Sequence, residues 1–339
     1  MGLTQFLRQA RTGLDDIRGA ASRRALVILA YHGIREDSAP VRNWMLLPQS
    51  EFDKQVRILR DRYDILRLDD AVARLRDGAL ERTSVCITFD DGYLNNLSLA
   101  HPILQAHDAP ATIFLATDFI DSHEVPWTTA LDAAFEATRT GRIDLSRFGL
   151  GTWTHASADE ARRNGVAIKT RLKELEAGHR AEVLHALFAQ LPGPSPSYLD
   201  AFRFLSWEQV RELERTGVVS FGAHTVHHEI LSRLPDESVS SEIRNSVAKV
   251  AAECALPSRG FAYPNGRAID FDARAEAAVA SSGCDFAVTT ISGFNTMTTP
   301  RFGLRRLSIG GDCDLAAFRR LLSKPRNAVV ALARFARAR

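Results

Sequence analysis

Two short clusters in the sequence combine residue types that can do chemistry together. Thr88-Phe89-Asp90-Asp91-Gly92 sets two carboxylates side by side ahead of a glycine. Adjacent carboxylates repel, and a bound cation relieves that cost. One aspartate can then ligate the ion while the other stays free to take a proton. The competing reading of the pair is an ordinary helix N-cap. The second cluster is His224-Thr225-Val226-His227-His228, with His224 and His228 four residues apart. On a helical turn their rings would face one way, with Cβ atoms about 6 Å apart. That suits two nitrogen ligands of one ion, with His227 pointing elsewhere. One carboxylate and two imidazoles leave coordination positions open, as catalytic rather than structural metal sites do. The expected ion is zinc, with cobalt or nickel as alternatives. The double aspartate does not fit the Asp-x-Asp of an aspartyl-nucleophile phosphatase, and the chain has no GxxxxGK[ST] loop.

Both clusters need elements that bring them to one place. Apolar runs rich in β-branched and aromatic residues recur along the chain at 25–30, 84–89, 111–116, 218–221, 260–263, 285–288 and 304–309. Short continuous apolar runs of this kind read as buried parallel strands. Helical stretches separate them, including 51–61, 69–76, 96–107, 237–254 and 271–282. Ser206-Trp207-Glu208-Gln209 forms a capping box that opens another helix, which Gly217 stops. Strand and helix in alternation imply a parallel sheet, open or closed into a barrel. In such folds the C-terminal strand ends carry the site, and both clusters follow a strand. The rhythm breaks from 121 to 203, where apolar periodicity is helical and Pro192-Gly193-Pro194-Ser195-Pro196-Ser197 makes an irregular connection. We read 25–120 and 204–324 as the barrel, 121–203 as a mostly helical insertion, 1–24 as a basic helical segment and 325–339 as a basic tail.

At this point the motifs carry a resemblance. TFDDG followed by HTVHH resembles the polysaccharide deacetylases, the NodB-homology group of carbohydrate esterases. The resemblance runs from about Ala25 to Ile309, interrupted by the insertion. It implies a distorted (β/α) barrel of about seven strands. By the family pattern Asp90 is the general base, and Asp91, His224 and His228 bind one divalent metal. Phe261-Ala262-Tyr263-Pro264-Asn265-Gly266 is similar to the third motif, where the backbone N–H after Pro264 helps hold an oxyanion; Asn265 stands where a Tyr is usual. Two departures stand out. The family often has an Arg two residues before the proline to orient the base, and here that position is Ala262. Arg306 resembles a strand-end Arg of related sequences and is the candidate for that role; its competing reading is a surface salt bridge. The late histidine that usually serves as general acid is absent, since no histidine follows His228. His32, in Tyr31-His32-Gly33 at the end of the first strand, is the positional candidate, against a purely structural histidine.

Composition bounds the rest. The 339 residues, 45% hydrophobic and 25% charged, suit a globular chain with a full core. A formal net charge of +2 gives no ground for a nucleic-acid partner. The four cysteines, Cys86, Cys254, Cys284 and Cys313, form no close pair and read as free thiols in a reducing compartment. We find no export-signal pattern and expect a cytoplasmic location. The basic, mildly amphipathic ends can pack on the body or dock peripherally on an anionic membrane surface. The expected substrate is an N-acylated sugar, an intermediate of surface-polysaccharide synthesis. A deformylase or other amide hydrolase on the same scaffold stays open, as does a non-catalytic sugar-binding relative. Oligomeric state is not legible.

Overall fold

A computed structural model describes residues 24–323. Except for Arg24, the expected basic N-terminal segment and C-terminal tail lie outside the described residues. Seven strands follow one another across a parallel sheet: β11 (Phe286–Val288), β10 (Gly260–Ala262), β9 (Val219–Ala223), β6 (Ala111–Leu115), β5 (Ser84–Phe89), β1 (Leu26–Tyr31) and β12 (Leu307–Ser308). They correspond one to one with the seven apolar runs. Each residue of β1, β5, β6, β10 and β11 is buried, as expected of strands covered on both faces. A short β4 (Asp64–Ile65) pairs beside the start of β5, at Ser84 and Val85, while β6 pairs with the later part of β5 from Ile87 onward.

The last stretch of the sheet bends it into a barrel-like shape. Leu304 bridges to Val288 of β11, and three residues later Leu307 pairs with Leu29 of β1. One segment, which includes β12, thus links β11 at one end of the strand order to β1 near the other. Arg306 sits between those two contacts. Helices cover the outside. The helix Trp207–Arg215 opens with the capping box read from sequence, Ser206 accepting from the Gln209 N–H and Gln209 from the Ser206 N–H.

The region 121–203 holds helices at Trp127–Ala137, Ala158–Leu172, Ala177–Phe188 and Pro196–Asp200. It also holds a short antiparallel hairpin of β7 (Gly141–Asp144) and β8 (Thr152–His155), which the helical periodicity did not signal. In β7 only Ile143 is buried, so no run of alternating apolar residues marked it. Leu131, Phe135, Ile143, Ala161, Ile168, Leu172 and Val183 form a hydrophobic cluster within the insertion, distinct from the barrel core. The remaining pair, β2 (Gly33–Arg35) and β3 (Leu46–Pro48), lies just after β1 and carries the loop that contains Trp44.

Candidate active site

The first motif begins where β5 ends. Asp90 keeps the strand direction, its N–H bonding the Tyr31 carbonyl at 3.0 Å. The backbone then turns through two left-handed residues, Asp91 (φ 76) and Gly92 (φ 94). At Gly92 a Cβ would lie 2.7 Å from the Leu115 side chain, so the turn admits only glycine. The turn swings the Asp91 carboxylate away from that of Asp90.

The histidine motif leaves β9 as an irregular loop, not a helical turn. Thr225 (φ 66) and His228 (φ 56) are both left-handed, which is costly for a β-branched residue such as threonine. This corrects the helical geometry expected from the four-residue spacing. Two sets of bonds hold the loop in place. On the barrel side, the Thr117 and Asp118 N–H groups donate to the Thr225 and Val226 carbonyls at 3.1 and 3.0 Å. On the outer side, the buried Glu242 carboxylate accepts from the Val226 N–H, the His227 N–H and His227 Nδ1 at 3.0, 2.9 and 2.5 Å. His227 therefore points away, as expected, and its imidazole is half-exposed.

The result brings Asp91, His224 and His228 together, with one ligand atom of each within 4.8 Å of the others. His224 Nε2 and His228 Nε2 stand 3.5 and 3.4 Å from Asp91 Oδ1. That oxygen is buried and accepts no hydrogen bond from the protein, a costly state for a carboxylate unless a cation completes it. His224 Nδ1 donates to the Ala262 carbonyl at 2.7 Å, leaving Nε2 unprotonated toward Asp91. Burial lowers His224 to about 4, and the neighbouring His228 adds to it against the opposing pull of Asp90. Burial, then the charges of Lys173 and His32, lower His228 to about 4 as well. Both imidazoles are neutral near pH 7, the form in which they ligate metals. The donor set, its orphaned oxygen and the protonation states fit a divalent ion.

Arg306 is not a surface residue. It is completely buried and grips Asp90 with two parallel bonds, Nη1 to Oδ1 and Nη2 to Oδ2, each 2.7 Å. Its Nε donates to the Thr289 carbonyl at 2.9 Å, and Nη1 reaches Thr88 Oγ1 at 3.2 Å. Burial would raise the Asp90 carboxyl, but Arg306, with His224 and His32, more than offsets this and holds it well below the ordinary carboxylate range.

His32 does not join the three converging ligands. Its ring meets Trp44 edge-on at 5.0 Å, and its Nδ1 is buried without a protein partner. In the third motif, Pro264 is buried and Asn265 adopts φ 57. Lys173, from the insertion, donates to Asn265 Oδ1 at 2.5 Å. Glu242 and Lys173 are the participants that the sequence did not reveal.

The sequence profile of the polysaccharide deacetylase family matches residues 77–287, more than half of the chain. The chain belongs to the polysaccharide deacetylase family. Among relatives, this deacetylase is 36% identical over 92 residues to YxkH of Bacillus subtilis (strain 168), whose name places it among polysaccharide deacetylases; the match spans 26% of our chain and 31% of that protein. Its fold is shared with Streptococcus pyogenes deacetylase PplD, solved in complex with acetate, at TM-score 0.58 and 19% identity, covering 89% of our chain and all of that one. IcaB from Ammonifex degensii matches at TM-score 0.56 and 17% identity, over 86% and 94% of the two chains. A de-N-acetylase from Aggregatibacter actinomycetemcomitans matches at TM-score 0.56 and 15% identity, over 88% and 99%. The chain is thus a family member built on the NodB-type barrel. Among the described residues no helix is long and apolar enough to cross a membrane.

Proposed function

We propose that the chain is a metal-dependent de-N-acetylase that removes the acetyl group from an amino sugar within a saccharide intermediate of surface-polysaccharide synthesis. The observation that carries the reading is the convergence of Asp91, His224 and His228 beside an Asp90 fixed by Arg306. A divalent ion held by Asp91, His224 and His228, zinc before cobalt or nickel, would supply Lewis acidity toward the acyl oxygen and the attacking water. The protein's own residues do the rest. Asp90 accepts the proton of the water as it attacks the amide carbonyl. Arg306 keeps that carboxylate ionised and in plane, so Asp90 enters the reaction as a base. The Asn265 N–H donates to the developing oxyanion. His32 delivers a proton to the departing amine, and Trp44, 44% exposed beside it, offers an indole face to a sugar ring.

PplD, solved with acetate, and the Aggregatibacter de-N-acetylase favour acetyl over formyl as the acyl group, and the polysaccharide deacetylase profile favours a polysaccharide context. Four free, buried cysteines support a reducing compartment and a soluble or lipid-linked intermediate as substrate. Acetate release from nucleotide-linked and lipid-linked N-acetyl sugars, with and without a chelator, tests the reading. Release that a chelator abolishes and zinc restores is expected. Chelator-resistant hydrolysis, or activity on N-formyl sugars alone, would overturn it.

A further inference from the structure

Among the insertion's contacts with the site is one from Lys173. The helix Ala158–Leu172 is anchored in the insertion's own cluster by Ile168 and Leu172. Lys173 follows directly, and its ammonium bonds Asn265 Oδ1 at 2.5 Å. One turn earlier, Lys169 is paired with Asp132 at 2.6 and 2.7 Å, both side chains mostly buried. Asp132 also receives Asn43, next to Trp44, at 3.4 Å. The end of this helix is therefore tied to both the Trp44 loop and the Asn265 turn.

That turn is bonded on every side but one. The Pro264 carbonyl accepts from the Gly266 N–H at 2.6 Å, and the Gly266 carbonyl from the Thr290 N–H at 2.9 Å. The Asn265 carbonyl accepts from Thr290 Oγ1 at 2.5 Å. A Cβ at Gly266 would meet the Thr290 nitrogen at 2.8 Å, so the packing is close. The Asn265 N–H alone donates to no acceptor among the described residues. A donor left open in an otherwise bonded turn is what an oxyanion requires. Its direction depends on Asn265 staying left-handed, a conformation asparagine tolerates but does not favour.

We propose that Lys173 is a positioning residue for amide hydrolysis: by holding the Asn265 side chain it fixes the left-handed turn and keeps the Asn265 N–H presented to the reacting carbonyl. The inference rests on the deacetylase reading above and gives the insertion a part in it. It also accounts for asparagine where a tyrosine is usual, since the short amide supplies an acceptor that a lysine from the insertion can reach.

The test compares Lys173→Met, Lys173→Arg, Asn265→Ala and the Met/Ala double variant, each zinc-loaded, for kcat and KM on an N-acetyl sugar that the parent hydrolyses. A misplaced donor acts on the transition state, so Lys173→Met should lower kcat about tenfold with KM little changed. Asn265→Ala should fall similarly, the double variant no further than the lower single, and Lys173→Arg should recover most of the rate. An unchanged kcat, or losses that multiply in the double variant, would overturn the proposal. Hydrogen exchange of peptides covering the turn reads the clamp without chemistry. Faster exchange in Lys173→Met is expected, and unchanged protection counts against it. Zinc content and thermal midpoint check that each variant is folded. A parent chain that deacetylates nothing, yet shows faster exchange in the variant, refutes the deacetylase reading while the clamp itself stands.

Discussion

Asp90 and Arg306 are each buried in a place where neither could stay charged alone. Breaking a buried pair by removing one member leaves an uncompensated charge and typically costs about 3–5 kcal/mol. Arg306→Met should therefore lower unfolding stability by about that amount, measured by denaturant titration, and lower hydrolysis with it. Asp90→Asn should reduce acetate release roughly 10²–10⁴-fold while zinc content stays near that of the parent, because Asp90 is not among the ligands. Full activity with metal retained would remove Asp90 from the mechanism. The two ligand histidines set the acid side. Burial holds both to about 4, below the roughly 6.5 of an unperturbed imidazole. Between those values the unfolded chain binds protons that the folded chain refuses, so stability is lost as pH falls through this window and regained as it rises. Asp90, held low by Arg306, adds a further loss only below about pH 4, where the unfolded carboxylate takes its proton. The thermal midpoint of metal-free protein should decline from about pH 6.5 toward 4, and a flat profile would contradict the assignment. At this scale the sequence was informative about the residues that do chemistry. Asp90, Asp91, His224 and His228 are visible because their types are uncommon together. Glu242 was not, since a glutamate within a long helix is ordinarily solvated, and its burial depends on a loop elsewhere in the chain. Lys173 carried no signal at all.

Among the elements, strands were legible and loops were not. A strand buried on both faces shows as an unbroken apolar run, and the seven runs marked the seven strands of the main order. The β7–β8 hairpin escaped because four residues with one buried side chain leave no pattern. The histidine loop escaped for a different reason. Its two left-handed residues are a threonine and a histidine, neither of which announces that conformation in sequence. Of the six non-glycine residues with positive φ among the described residues, Asp91, Thr225, His228 and Asn265 lie in the three motifs of the site. Local strain of this kind persists only where surrounding contacts over-determine it. For the histidine loop those contacts come from Thr117 and Asp118, just after β6, on one side and Glu242 on the other. Glu242→Ala leaves the first set and removes the second. Zinc affinity should fall roughly 10–100-fold, as for other residues that orient ligands, with Glu242→Gln losing less because its amide still accepts from the two N–H groups. Competition with a fluorescent chelator measures this directly. Equal affinity in all three proteins would show that the Thr117 and Asp118 bonds suffice.

For the molecule as a whole, the motif order fixed the barrel, and the strand count followed from it. The placement of the insertion over the third motif could not be read, because it depends on packing between segments far apart in sequence. The cysteines report on the integrity of the whole. All four are free and buried, and desolvation pushes Cys254 and Cys313 up to about 12. A thiol reacts as its thiolate. Ellman's reagent at neutral pH should therefore label the folded protein slowly and all four thiols promptly in denaturant. Prompt labelling without denaturant would indicate a looser core.

Barrel closure has a consequence for the order in which the site comes into being. The metal ligands are all present once synthesis has passed His228, and the base is present well before that. Arg306 arrives only with the segment that bridges β11 to β1. Until then Asp90 has no guanidinium to keep it ionised and aligned inside the sheet. A nascent or C-terminally clipped chain can thus gather its three ligands yet lack a set base, so catalytic competence arrives with the last stave of the barrel and leaves with it.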